Sequence, residues 1–117
     1  MNPIIEINIY ETTVNFEIDP ENLLVLSVKS KNAEEKDNNI EWAVELLNSP
    51  FSENGYSFKV AYNRNVNLWM CKRIVRWYDG CSAVLTVYAD NSQAAFKRNE
   101  MFFRKLQRYY NPNNNSY

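Results

Sequence analysis

The stretch Cys81-Ser82-Ala83-Val84-Leu85-Thr86-Val87-Tyr88-Ala89 decides the architecture. It carries no charge, is rich in β-branched side chains and is apolar on both alternating sets of positions, the pattern of a strand covered on its two faces. We read it as the central strand of a sheet. Directly after it, Asp90-Asn91-Ser92 offers helix-capping side chains, and a long helix is predicted over Gln93–Tyr110, ended by Asn111-Pro112. At about 100° per residue, Ala95, Phe96, Phe102, Phe103, Leu106 and Tyr110 share one arc of that helix, while Lys97, Arg98, Arg104, Lys105 and Arg108 gather opposite. The first arc is expected to be core and the second a cationic stripe suited to an anionic partner.

Before the central strand, a second helix is predicted from Val66 to Tyr78, with Asn65 or Asn67 as cap and Gly80 past its end. Leu68, Met70, Cys71, Ile74, Val75 and Tyr78 would form its apolar arc, with Trp77 at the edge of it. Trp69 would then lie outward among Lys72, Arg73 and Arg76. An indole flanked by cations can anchor a protein interface or stack on a nucleobase while the cations meet phosphates. A further helix is predicted where Ile40, Ala43, Val44 and Leu47 recur after Asn38, ending near Ser49-Pro50. Asp37, Glu41 and Glu45 follow one another at four-residue spacing and form a secondary acidic surface.

The remaining segments alternate with period two. Ile5, Ile7 and Ile9 interleave with Glu6 and Asn8, and Val14, Phe16 and Ile18 with Asn15 and Glu17, which predicts strands over 4–10 and 13–19. Asp19-Pro20-Glu21-Asn22 supplies a turn before a strand at Leu23–Lys29, and Tyr56, Phe58, Val60 and Tyr62 mark another after Asn54-Gly55. The expected fold class is α+β: a single compact domain over 1–112, with a mainly antiparallel sheet of about five strands and three helices in the order βββαβαβα. Residues 113–117 are expected to be a disordered tail.

At 117 residues and 45% hydrophobic content the chain suits one domain rather than two. Its net charge of −1 excludes a uniformly basic nucleic-acid coat. The balance conceals a polarity, because residues 1–60 hold 11 acidic and 4 basic side chains and residues 61–117 hold 3 acidic and 9 basic. Every arginine falls in the second part, so a molecule that keeps the two parts apart is a dipole. There is no histidine, which removes the commonest general base and the nucleophile pairs that depend on it. Gly55 and Gly80 are the two glycines, too few for a phosphate-cradling loop, so no cofactor is expected. Asp19 with Glu34-Glu35-Lys36 matches a metal-dependent nuclease pattern poorly, since Asp19 precedes a proline and the Glu-Lys segment lies in a loop. Cys71 and Cys81 match neither a redox nor a metal-ligand spacing and are expected to be buried, reduced thiols.

The amino terminus lacks the features of a secretory signal, and no apolar run is long enough to span a bilayer, so a cytoplasmic protein without membrane contact is expected. The 18 asparagines indicate an A+T-rich genome. Composition, brevity and lack of catalytic equipment resemble the small accessory proteins of phages and mobile elements, or immunity proteins, in style rather than in any motif. The expected function is non-enzymatic: occupying a surface of a larger protein partner, a nucleic-acid-processing enzyme among the candidates. The partner-binding residues would be Trp69, Lys72, Arg73, Arg76, Lys97, Arg98, Arg104, Lys105 and Arg108. The alternative is binding of single-stranded nucleic acid by the same basic, aromatic face. A homodimer joining acidic to basic halves is also open.

Overall fold

The computed structural model describes residues 1–9, 12–30, 41, 57–78 and 81–110. Six strands form one antiparallel sheet: β1 (Ile4–Ile9), β2 (Thr12–Ile18), β3 (Val25–Ser30), β4 (Ser57–Asn63), β5 (Leu68–Tyr78) and β6 (Cys81–Ala89). One helix, α1 (Ser92–Tyr110), is described from end to end. The strand order β3-β2-β1-β6-β5-β4 consists of two three-stranded meanders joined where the first strand meets the last, from Ile4 opposite Thr86 to Ile9 opposite Cys81. The strand read as central in the sequence, β6, lies at this junction. The domain is α+β, with the helix packed on the sheet face over β4, β5 and β6.

The core follows from the two-residue period of a strand. Ile5, Ile7 and Ile9 on β1, Val14, Phe16 and Ile18 on β2, and Ala83, Leu85 and Val87 on β6 all turn to the face that carries α1 and are buried, together with Phe102 and Leu106 of the helix. Withdrawing each large aliphatic side chain from water contributes roughly 1.5–3 kcal/mol relative to leaving it exposed. The other face carries Glu6, Asn8, Thr13, Asn15 and Glu17, half-buried and cross-linked by polar contacts. Thr13 donates to the Asn8 side chain at 3.0 Å and Ser27 to Glu17 at 3.4 Å.

The helix predicted over Val66–Tyr78 is corrected by the structure: that segment is the 11-residue strand β5, paired with both β4 and β6. Asn67 does not cap a helix; with φ of 52° it closes the β4–β5 turn, a conformation asparagine tolerates better than most residues. The local signal was misleading because an arginine, Arg73, points into the core and breaks the apolar alternation. The expected helix ending near Ser49-Pro50 lies outside the described residues, apart from Glu41, which is helical and exposed. The Asn54-Gly55 turn, Gly80 and the expected tail at 113–117 also lie outside them. No described helix is long and apolar enough to cross a membrane.

Candidate functional site

α1 starts where its sequence says it should. Asn91 accepts the Ala94 backbone N–H at 2.8 Å on its side-chain oxygen, and its carbonyl accepts from Ala95 at 3.0 Å, satisfying groups that a helix start otherwise leaves without partners. Ala95, Phe102 and Leu106 are buried and Phe96 and Phe103 half-buried, whereas Lys97, Arg98, Arg104, Lys105 and Arg108 are all exposed. Among the described residues, none of these five cations meets a carboxylate within ion-pair distance.

Four of the five rim an open cleft of about 580 Å³ beside α1. Val87 and Phe102 line it from the core, Met1 and Pro3 from the start of the chain, and Pro20 from the β2–β3 turn. Arg98, Arg104, Lys105 and Arg108 stand around it with Met101, and among the described residues no carboxylate lines it. Arg98 donates to the Tyr88 carbonyl at 3.3 Å. The Lys105 ammonium donates to the carbonyls of Pro20 and Glu21 at 2.9 and 2.8 Å, which ties α1 to the turn. That turn is tightly built: Asp19 accepts from Glu21 and Leu23, and Leu23, buried, holds a φ of 58°. A left-handed conformation at a residue with a branched side chain costs of order 1 kcal/mol or more, sustained here by the burial of the leucine.

The residues of the second expected cluster do not come together. Alternation along β5 sends Trp69 and Arg73 to the helix face and Lys72 and Arg76 to the opposite face. Trp69 is half-buried and meets Tyr62 edge-on, ring centroids 5.6 Å apart. Arg73 is 4% exposed. Its Nε donates to the Asn99 side-chain oxygen at 3.0 Å, its guanidinium lies 4.9 Å from the Phe103 ring centroid, and Glu100 approaches within 3.9 Å. Glu41 is exposed, and Asp37 and Glu45 lie outside the described residues.

Sequence reasoning missed Asn99, which is fully buried and donates to the carbonyls of Cys71 and Leu85 at 2.8 and 2.9 Å. The available signal was its position, a polar residue four after Ala95 and three before Phe102 on the apolar arc. It fastens the helix to β5 and β6 and gives the inward Arg73 an acceptor. Both cysteines are free and buried. Burial pushes both thiols up; at Cys71 the Arg73 charge opposes that rise and Glu100 adds to it. No group of three His, Cys, Asp or Glu side chains among the described residues could hold a metal ion.

Among the described residues, the topology also turns the polarity of the sequence into a polarity in space. Residues 57–78 and 81–110, which build β4, β5, β6 and α1, carry ten basic and two acidic side chains. Residues 1–9 and 12–30, which build the other half of the sheet, carry four acidic and one basic. No protein-family model, curated protein or solved structure matches the chain.

Proposed function

We propose that the chain is a non-enzymatic binding module that occupies an acidic surface of a larger protein partner through the cationic face of α1. The observation that carries this reading is the cleft: four cations around an apolar floor, with no carboxylate among the described residues that line it. Such a surface suits an apolar side chain of a partner flanked by aspartates or glutamates. The apolar floor supplies a central, water-excluding contact and the guanidinium groups supply charge-assisted hydrogen bonds at its rim. Arg104, Lys105 and Arg108 follow within one and a half turns of a helix that is anchored on the sheet, so little backbone freedom remains to be lost on docking. A stacking ring for a nucleobase is less well provided. Trp69 faces the helix side of β5 beside Tyr62, and of the two described rings that line the cleft Tyr88 is half-buried and Phe102 is 5% exposed.

The test compares affinity capture from the native host by the wild-type chain and by an Arg104→Glu/Arg108→Glu chain. A stoichiometric protein partner is expected with the first and not with the second. Retardation of a labelled single-stranded oligonucleotide at low salt, weakening steeply as salt rises, would instead favour nucleic acid as the ligand. An unchanged protein partner with the charge-reversed chain refutes the assignment to α1.

A further inference from the structure

The large apolar side chains that the described residues leave exposed are found in three places: Met1 and Met101 at the cleft, Leu24, Val25 and Leu26 at one edge of the sheet, and Phe58 and Tyr62 at the other. We propose that the last of these, the outer edge of β4, is the seat of a two-fold homodimer in which β4 pairs antiparallel with β4 of a second copy, centred on Val60.

β4 is the last strand in the sheet order, paired with β5 on one side and with no described strand on the other. Half of its backbone N–H and C=O groups therefore face outward in hydrogen-bonding geometry, a template for another strand. What distinguishes this edge is that Ser57-Phe58-Lys59-Val60-Ala61-Tyr62-Asn63 is complementary to itself when reversed. A two-fold axis through Val60 sets Phe58 opposite Tyr62 of the second copy, Val60 opposite Val60, and Tyr62 opposite Phe58. These three cross-strand pairs lie on one face, two of them aromatic, the kind of pair that stabilises sheets. Both rings are already held in place within one copy. Phe58 packs on Phe96 with centroids 5.0 Å apart, and Tyr62 on Trp69, so little rotamer freedom is lost on pairing.

The charge on the strand obeys the same register. Lys59 already faces Lys72 across β5, both exposed, so a further cation opposite it would be unfavourable. The two-fold pairing places Ala61 of the second copy there, and the two Lys59 side chains never face each other. The β3 edge differs in that its exposed apolar residues, Leu24, Val25 and Leu26, are bunched at one end, and a two-fold axis through Ser27 sets Val25 against Lys29. An antiparallel edge-to-edge pair of this kind closes on itself instead of growing into a fibre. It joins two six-stranded sheets into one, with both α1 helices on the same face. The cationic cleft is lined from the side of β1, β6 and the β2–β3 turn and stays clear of the seam, so the dimer stands independently of the proposed partner.

Sedimentation equilibrium on the whole chain, from low to high micromolar concentration, tests the proposal. A species of twice 13.9 kDa is expected. Ala61→Lys places a third cation in the Lys59–Lys72 row and should weaken the dimer roughly ten-fold, while Ala61→Glu should tighten it by a similar factor. Phe58→Asp, at a side chain 52% exposed and so tolerable to the fold, should abolish it over the same range. Circular dichroism of each variant establishes that the monomer is folded. A mass of one chain at every concentration overturns the proposal, and so does a dimer whose dissociation constant is indifferent to all three substitutions.

Discussion

Replacing Asn99 by leucine tests the account of how α1 is fixed to the sheet. The two side chains are similar in volume, so the change leaves shape nearly intact and removes three hydrogen bonds: to Cys71 O, to Leu85 O and from Arg73 Nε. A buried polar group that loses its partner costs about 1–3 kcal/mol, more when charged. Taking about 1 kcal/mol for each carbonyl and about 2 for the guanidinium, and returning about 1 for the added apolar burial, gives a net loss of about 3 kcal/mol. A chain of this length is stabilised by roughly 6–17 kcal/mol in total, so the loss is a large share of it. The melting temperature should fall by about 12 °C. Urea denaturation followed by circular dichroism measures the change. The double variant Arg73→Met/Asn99→Leu, which also removes the buried charge, should be more stable than Asn99→Leu alone by about 1–2 kcal/mol. An Asn99→Leu midpoint within error of wild type, or a double variant no better than the single one, would refute the reasoning.

Other consequences can be checked in the same preparations. Lys105→Met removes both bonds to the β2–β3 turn and should cost about 1 kcal/mol, discounted for the exposure of the ammonium, with faster hydrogen exchange at the Asp19 and Leu23 amides that the turn holds. Asn67→Ala should destabilise by about 1 kcal/mol because alanine resists the left-handed conformation, whereas Asn67→Gly should cost much less; the pair is read from urea midpoints. The buried thiols of Cys71 and Cys81 should resist alkylation until the protein unfolds, as a mass-spectrometric time course would show. Because the folded thiols keep their protons to higher pH than unfolded ones, their contribution is intact below the ordinary thiol value of 9.0 and is lost as pH rises above it. A stability that climbs with pH through that window contradicts this.

Much was legible in the chain itself. The alternation of isoleucines in β1 and of Val14, Phe16 and Ile18 in β2, the uncharged run of β6 and the Asn91 cap all report local structure through local chemistry, and each element formed where its pattern placed it. The cationic arc of α1 was readable for the same reason, since side chains three and four apart on a helix are neighbours whatever the rest of the fold does. The Val66–Tyr78 segment was not, because its period was hidden by one residue. Arg73 lies in the core where Asn99 and Glu100, 26 and 27 residues further along, meet it, and no window around Arg73 contains that fact. The cleft likewise draws on Met1, Pro3, Pro20 and the helix, segments brought together when β1 pairs with β6. Sequence determines which surfaces each element carries, because periodicity is a local property. Strand order and helix docking decide which surfaces meet, because only a folded chain brings distant residues within reach of a hydrogen bond.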